Sequence, residues 1–251
     1  MKRASQRWNI QVALKALGSP KRLLDIGCGP GQFLALARER GHRVAGLDFN
    51  PESLRLGREV FGLADLFCGS LEQFVQNEGR KFDAVVALEV LEHTEQPIEF
   101  LRQTARVLLP GGRLYLSVPG WDRWPRIFDP EADFPPHHLT LWTEQALAQA
   151  LERAGFTCEG VVRSSLQHED LLRHINTRLQ RMLFPRSQAR REAAHEDGRA
   201  REPGLAWRVY CRLAATTARE LVRLSFHLPA ALLRLHPRAG GFGLFCVAFK
   251  R

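Results

Sequence analysis

The sequence predicts an α/β protein built on a doubly wound parallel sheet. From Lys21 to Val118, short apolar runs alternate with helix-like segments, the pattern of repeated strand–helix–strand units. The first apolar run leads directly into a glycine-rich turn, Gly27 to Gly31, and such turns form the ligand-binding edge of doubly wound sheets. The 251 residues, 45% hydrophobic and 25% charged, have ordinary globular composition, which excludes disordered, collagenous and disulfide-scaffold proteins.

Each expected element follows from a local pattern. The five strands expected before Pro119 are Arg22–Ile26, Arg43–Asp48, Ala64–Cys68, Phe82–Leu88 and Arg113–Val118, the last entered through the turn 110–112. Helices are expected between them over Gln32–Arg40, Pro51–Phe61 and Pro97–Leu108, and the first turn of a helix accepts the proline that begins two of them. Further on we expect a helix over Thr143–Ala154 and strands over Phe156–Arg163 and Gly243–Lys250.

The last two expected strands are joined by about 75 residues, far more than an ordinary loop, which predicts a folded insertion or lid. Between 171 and 240 this segment holds 14 arginines against five acidic residues, so the whole formal net charge of +9 lies there. The expected organisation is a core with an N-terminal helix over 1–165, a basic helical insertion over 166–240 and a terminal strand over 241–251. Amphipathic helices in the insertion would meet a lipid-like substrate or an anionic membrane, or would pack on the core or a second subunit.

Cysteine spacing and hydropathy indicate the cellular compartment in which the protein is expected. The five cysteines are odd in number and contain no Cys-x-x-Cys pair, so neither a disulfide framework nor a zinc knuckle is expected. The N-terminus lacks the apolar core of a secretory leader, and no apolar run reaches the roughly 18 residues that span a bilayer. We therefore expect a cytoplasmic protein, with any membrane contact peripheral at the inner surface and made by residues 171–240.

The glycine-rich turn predicts a nucleotide-like cofactor, because backbone amides there approach a ligand without interference from Cβ atoms. The turn fits Asp-x-Gly-x-Gly-x-Gly, and Gln32 stands where a dinucleotide fingerprint has its third glycine, which disfavours NAD. Asp48, about 20 residues further on at the end of the second expected strand, is placed to accept both ribose hydroxyl protons.

Through Leu24–Gly31, Asp48 and the run Leu88–His93, the chain resembles the class I S-adenosylmethionine-dependent methyltransferases. It is most similar to the branch that contains ubiquinone-biosynthesis-type O-methyltransferases and many small-molecule methylases. The resemblance implies a Rossmann-like sheet of seven strands with the last one antiparallel. It also implies S-adenosylmethionine as cofactor, with these contacts: Asp25, Gly27, Cys28, Gly29 and Gly31 at the methionine end, Asp48 at the ribose, Phe49 at the adenine face, and Leu88 and Glu89 at the methyl-transfer mouth. The chain departs from the family after the third expected strand, where the family often has an acidic residue and this sequence has Gly69, Ser70 and Leu71; here Ser70 is expected to hydrogen-bond the adenine, with Leu71 beside it.

Three histidines are candidates for removing a proton from an acceptor hydroxyl, since histidine is the usual base at neutral pH. His93 follows the fourth expected strand, where it either starts a helix with a backbone hydrogen bond or acts directly. His137 and His138 lie in a loop rich in Pro and Trp, and either touch substrate or pack the loop. No metal is expected, because adjacent histidine side chains diverge and no third ligand is apparent.

These observations predict methyl transfer to a small-molecule or lipid-linked acceptor, at a hydroxyl oxygen. Nucleic acid is disfavoured despite the basic charge, because the chain lacks both the Asn/Asp-Pro-Pro-aromatic run of amino-methylating DNA enzymes and a Pro-Cys nucleophile. The alternatives are an RNA or protein methyltransferase, and a non-catalytic, membrane-associated protein on the same fold.

Overall fold

The computed structural model describes residues 7–121, 134–164 and 243–251. The elements in chain order are α1 (Trp8–Leu17), β1 (Arg22–Ile26), α2 (Gln32–Glu39), β2 (Arg43–Asp48), α3 (Pro51–Phe61), β3 (Leu66–Cys68), α4 (Leu71–Glu78), β4 (Phe82–Leu88), a 3₁₀ turn (Leu91–His93), α5 (Pro97–Val107), β5 (Leu108–Pro119), α6 (Glu144–Arg153), β6 (Phe156–Arg163) and β7 (Gly243–Lys250).

The strands of the described residues form one sheet in the order β3-β2-β1-β4-β5-β7-β6. Strands β1 to β5 pair in parallel, and β7 runs antiparallel to both of its neighbours. The expected α/β architecture with an antiparallel last strand is therefore confirmed.

Helices cover both faces of the sheet, and each face has its own apolar core. Helices α1, α2 and α3 pack on one face, where their buried side chains include Leu14, Leu34 and Leu54. Helices α4, α5 and α6 pack on the other, through residues that include Leu101 and Leu147. Because the described helices pack on both faces of the parallel strands, a ligand is expected at the strand ends.

Strand β3 begins at Leu66 rather than Ala64, and two further predictions differ more from the structure. Helix α4 is absent from the sequence-based expectation, and it is begun by Ser70, whose side chain accepts a hydrogen bond from the Gln73 amide while the Gln73 side chain accepts from the Ser70 amide. Strand β5 begins at Leu108 rather than Arg113, because Leu108 already pairs with Phe82 and a register shift absorbs the following residues.

The predicted basic insertion, 166–240, lies outside the described residues, so its extent and helices stay predictions. Within the described residues, no helix is both long enough and apolar enough to span a membrane.

Candidate functional site

The glycine-rich turn is fastened to the end of strand β2. The amides of Gly27 and Cys28 both donate to the carbonyl of Leu47, at 2.8 and 3.1 Å. The amide of Gly29 donates to Oδ2 of Asp48 at 2.7 Å, and the other carboxylate oxygen of Asp48 accepts from the Asn50 amide at 2.8 Å. The two sequence-predicted parts of the cofactor site, turn and carboxylate, therefore meet directly at the strand ends.

The three glycines of the turn have left-handed backbone but different surroundings. A Cβ at Gly27 would lie 2.6 Å from the Val90 side chain, and one at Gly31 would collide with Leu63. At Gly29, φ is +51° and a Cβ would meet no described atom within 4 Å. Gly27 and Gly31 are therefore required by packing, whereas Gly29 faces open space, as a backbone that approaches a ligand must.

Asp25 and Asp48 place two carboxyl groups beside this turn. Asp25 is buried at the end of β1, and burial, followed by the charge of Asp48, holds its pKa well above the usual range. A buried acid next to a second acid is relieved by a bound positive charge. This pair therefore suits a ligand that carries cationic groups.

The predicted adenine contacts have different local roles. Phe49, which follows β2, leaves 81% of its surface exposed, so its ring is available to a planar ligand. Ser70 caps helix α4, with its Oγ accepting from the Gln73 amide at 3.2 Å, and Leu71 is buried under the sheet. The Ser70 hydroxyl is thus committed as an acceptor and retains its proton for donation.

Leu88 ends strand β4, and Glu89 follows it directly. Glu89 is the one non-glycine residue of the described part with positive φ, at +59°, and its amide donates to the Ser117 carbonyl. Ser117 Oγ donates to Glu89 Oε1 at 2.8 Å, while burial raises the pKa of Glu89. The unusual backbone turns this carboxyl group inward, toward β5.

His93 is held in one tautomer by the loop that carries the other two histidines. Its Nδ1 lies 2.6 Å from the main-chain oxygen of His137, and since a carbonyl only accepts, Nδ1 carries the proton. The lone pair of the neutral ring is then on Nε2. His138 packs edge-on against His93 with ring centroids 5.0 Å apart, whereas the side chain of His137 is exposed.

Glu92 joins this cluster, and sequence reasoning gave it no role. Its carbonyl accepts from the amides of Leu139 and Thr140, at 2.8 and 3.1 Å, which fixes the histidine loop to the end of β4. Its carboxyl group is 1% exposed, and neither oxygen has a hydrogen-bond partner in the described structure. Burial, followed by the charge of Glu89, raises the pKa of Glu92 to about 9.

Glu92, His93 and His138 together could hold a metal ion. Their ligand atoms all lie within 4.8 Å of one another, and Glu92 Oε1 lies 3.9 Å from His93 Nε2. The sequence-based expectation that no metal binds treated His137 and His138 as the candidate ligand pair. In the structure, only His138 of these two lies beside Glu92 and His93. The Glu-His dipeptide after β4 was visible in the sequence; its meeting with His138 depends on the fold.

The comparisons with known proteins agree with this geometry. The family described as "Methyltransferase domain" matches residues 3–161. A ubiquinone biosynthesis O-methyltransferase of Idiomarina loihiensis is 35% identical over 102 residues, which cover 39% of this chain and 42% of the relative. The chain spans less than half the length of such curated relatives.

Two solved structures share the fold. An S-adenosylmethionine-dependent methyltransferase of Mesorhizobium loti aligns with a TM-score of 0.58 at 17% identity. The alignment covers 96% of this chain and 98% of the methyltransferase chain. A 1,6-didemethyltoxoflavin-N1-methyltransferase of Burkholderia thailandensis, solved with 1,6-didemethyltoxoflavin and S-adenosylhomocysteine, has a TM-score of 0.52 at 26% identity. The alignment covers 64% of this chain and 71% of the Burkholderia chain.

Proposed function

The chain belongs to the class I S-adenosylmethionine-dependent methyltransferases, and from that premise we propose that it methylates a hydroxyl oxygen of a small-molecule or lipid-linked acceptor. The observation that carries the proposal is that two half-sites meet around β4. The cofactor half consists of the glycine-rich turn and Asp48. The acceptor half is the histidine cluster, formed by Glu92, His93 and His138. The O-methyltransferase activity named for the ubiquinone-biosynthesis relatives supports a hydroxyl acceptor.

The cofactor half of the site consists of the carboxyl groups of Asp25 and Asp48 and the unobstructed backbone at Gly29 in the glycine-rich turn. S-adenosylmethionine supplies a methyl group that its sulfonium makes electrophilic. Asp25 and the turn Gly27–Gly31 would hold its methionine end, and Asp48 would accept hydrogen bonds from its ribose hydroxyls. The Phe49 ring would cover the adenine. The open Cβ direction at Gly29 supports this assignment, because a ligand can pack against that backbone.

The acceptor half would supply a base. Methyl transfer is a direct displacement, so the protein must align the acceptor oxygen and receive its proton. His93 Nε2 is the candidate base, because its other nitrogen already donates to the His137 carbonyl. His138, packed against His93, would restrict where the acceptor lies.

A second mechanism on the same residues is favoured by the buried carboxyl group of Glu92, which has no hydrogen-bond partner among the described residues. A divalent cation held by one ligand atom each of Glu92, His93 and His138 would give this carboxylate a partner and would lower the pKa of a coordinated acceptor hydroxyl. The donation from His93 Nδ1 to a carbonyl is the outer contact that commonly orients a metal-bound histidine. Turnover that survives EDTA supports the base mechanism, whereas loss restored by Mg²⁺ or Zn²⁺ supports the metal mechanism.

Isothermal titration with S-adenosylmethionine and S-adenosylhomocysteine tests the cofactor half. Asp48→Ala removes two charge-assisted hydrogen bonds worth roughly 1.5–3 kcal/mol each, so we expect at least about a hundredfold loss of affinity. Glu52→Ala removes a nearby acidic charge that pairs with Arg55 on the surface and should leave affinity within about threefold. Binding by Asp48→Ala at near-parental strength would contradict the ribose assignment.

Screening phenolic, glycosidic and lipid-linked acceptors with labelled cofactor tests the acceptor half. Methylation of RNA or protein alone would favour the alternative polymer acceptors. Cofactor binding without turnover on any class would favour a non-catalytic role.

Contact between residues 171–240 and an anionic membrane belongs to the same proposal, and its support is the arginine excess of that segment. We expect salt-sensitive flotation of the full chain with anionic vesicles and its loss on deleting residues 166–240. Equal flotation after the deletion would contradict the membrane role of this segment.

A further inference from the structure

Arginine side chains gather at the edge of the sheet where the parallel strands start, opposite the edge that carries the glycine-rich turn. Arg22 begins β1, Arg43 begins β2, and the two residues are in-register neighbours. Because side chains alternate along a strand, each arginine shares its face with the residue two positions later, Leu24 or Ala45. Both of these belong to the core covered by α4, α5 and α6. The two exposed arginines therefore lie side by side on one face of the sheet.

Arg80, which lies just before β4, adds a third guanidinium group on this face. Both of its terminal nitrogens donate to the carboxylate of Asp65, at 2.8 and 2.6 Å. Its guanidinium carbon lies 5.3 Å from the centre of the Phe67 ring and 5.4 Å from the centre of the Phe82 ring. Both rings pack in the same core as the neighbours of the first two arginines. Arg80 is therefore held in place from two directions.

The three arginines line a groove of about 400 Å³ between the starts of β2, β1 and β4. Four cationic side chains and one acidic one contribute to the lining: Arg22, Arg43, Arg80, Lys81 and Asp65. The chain outside residues 171–240 has no net charge, so the excess of positive charge in the groove is a local feature.

The acidic groups that reach these arginines do not balance their charge. Asp65 is paired with Arg80, and Asp83 accepts from the amide and Nε of Arg22, at 2.8 and 3.4 Å. The Arg43 side chain has no hydrogen bond or ion pair among the described residues. Because like charges on neighbouring strands repel each other, the positions of Arg22 and Arg43 favour an anion between them.

We infer that this groove binds a phosphate group of a soluble molecule. A guanidinium group donates two parallel hydrogen bonds to phosphate oxygens, and a phosphate between Arg22 and Arg43 would remove their repulsion. A lipid headgroup fits the groove less well, because peripheral membrane binding also needs apolar side chains that enter the bilayer. Of the large apolar side chains that the described structure exposes, none lines the groove.

The groove and the cofactor half of the site lie at opposite ends of β1. This strand has five residues, so roughly 16 Å separate its two ends. A phosphate in the groove and S-adenosylmethionine at the glycine-rich turn therefore do not compete, and the inference does not depend on the proposed methyl transfer.

Isothermal titration of the full chain with sodium pyrophosphate, at about 150 mM NaCl to screen weak surface attraction, tests the inference. The parent should bind, and Arg43→Ala should bind at least about tenfold more weakly, because a hydrogen bond to a charged group is lost. Arg43→Lys, which keeps the charge but not the planar pair of donors, should have an intermediate affinity. Arg102→Ala is the matched control, since it removes an exposed arginine of α5 that lies 3.8 Å from Glu99, and its affinity should stay within about twofold of the parent.

Three outcomes overturn the inference. The first is the absence of pyrophosphate binding by the parent; if Arg43→Ala then also loses flotation with anionic vesicles, the groove binds a lipid headgroup instead. The second is equal weakening in Arg43→Ala and Arg102→Ala, which would show attraction to the general surface charge. The third is displacement of pyrophosphate by S-adenosylmethionine, which would place the phosphate at the other end of β1.

Discussion

Alanine at Gly29 should weaken cofactor binding without harming the fold more than alanine at Gly79. Both glycines have positive φ, +51° and +58°, and a Cβ at either would meet no described atom within 4 Å. They differ in position, because Gly79 ends helix α4 in the left-handed conformation whereas the Gly29 amide donates to Asp48 in the candidate site. Gly79→Ala is thus a matched control for the backbone effect alone.

The magnitudes follow from this comparison. Placing a Cβ in the left-handed region costs roughly 1–2 kcal/mol, and for a chain of this size each kcal/mol lowers Tm by about 2–4 °C. Both variants should therefore melt a few degrees below the parent, by similar amounts. The methyl group at Gly29 additionally occupies the space that the cofactor would use, so its affinity should fall at least about tenfold, or ~1.4 kcal/mol.

Differential scanning fluorimetry and isothermal titration with S-adenosylmethionine measure the two effects separately. Gly79→Ala should bind the cofactor as the parent does. Affinity of Gly29→Ala within about threefold of the parent would refute the placement of the cofactor against this backbone. A much larger fall in Tm for Gly29→Ala than for Gly79→Ala would instead indicate that Gly29 matters for folding.

Two further predictions concern the acceptor half of the site. His138→Ala should reduce kcat more than His137→Ala, because His137 contributes its main-chain carbonyl, which alanine retains; equal loss in steady-state assays would contradict this. The pKa of Glu92 is raised to about 9 in the folded protein. The contribution of this carboxyl group to the free energy of unfolding is therefore fully present below its unfolded pKa near 4.5 and is lost as the pH rises toward 9. Urea unfolding should therefore show the parent losing stability relative to Glu92→Gln between pH 5 and 9, at no more than about 1.4 kcal/mol per pH unit, and parallel pH curves would exclude a neutral buried Glu92.

The sheet was predictable because most of its strands are short apolar runs bounded by turn residues. Helix α4 was missed because it is short and buries only Leu71 and Phe74, too few apolar positions for a visible helical period. Its N-terminal signal was nevertheless present, since Ser70 and Gln73 have the spacing of a capping box. The early start of β5 had no such signal, because pairing at Leu108 depends on the neighbouring strand.

The cofactor half of the site could be located from local sequence, because its turn follows β1 and its carboxylates, Asp25 and Asp48, lie at the ends of β1 and β2. The acceptor half could not be located in the same way. His93 and His138 are 45 positions apart along the chain, and they meet because the Leu139 and Thr140 amides bond to the Glu92 carbonyl. Backbone pairing of this kind carries no sequence signature, so the burial of the Glu92 carboxyl group beneath the cluster was equally hidden.

The short run after β4 sets the spacing between the two halves. Glu89 turns inward through its left-handed backbone and is held by Ser117, while Glu92, three residues later, carries the histidine loop on its carbonyl. Val90, between them, packs where a Cβ at Gly27 would lie, so the run is also fixed against the glycine-rich turn. Because methyl transfer depends on the alignment of donor and acceptor more than on strong acid–base chemistry, one short run that contacts both halves is the feature of this fold best suited to impose that alignment.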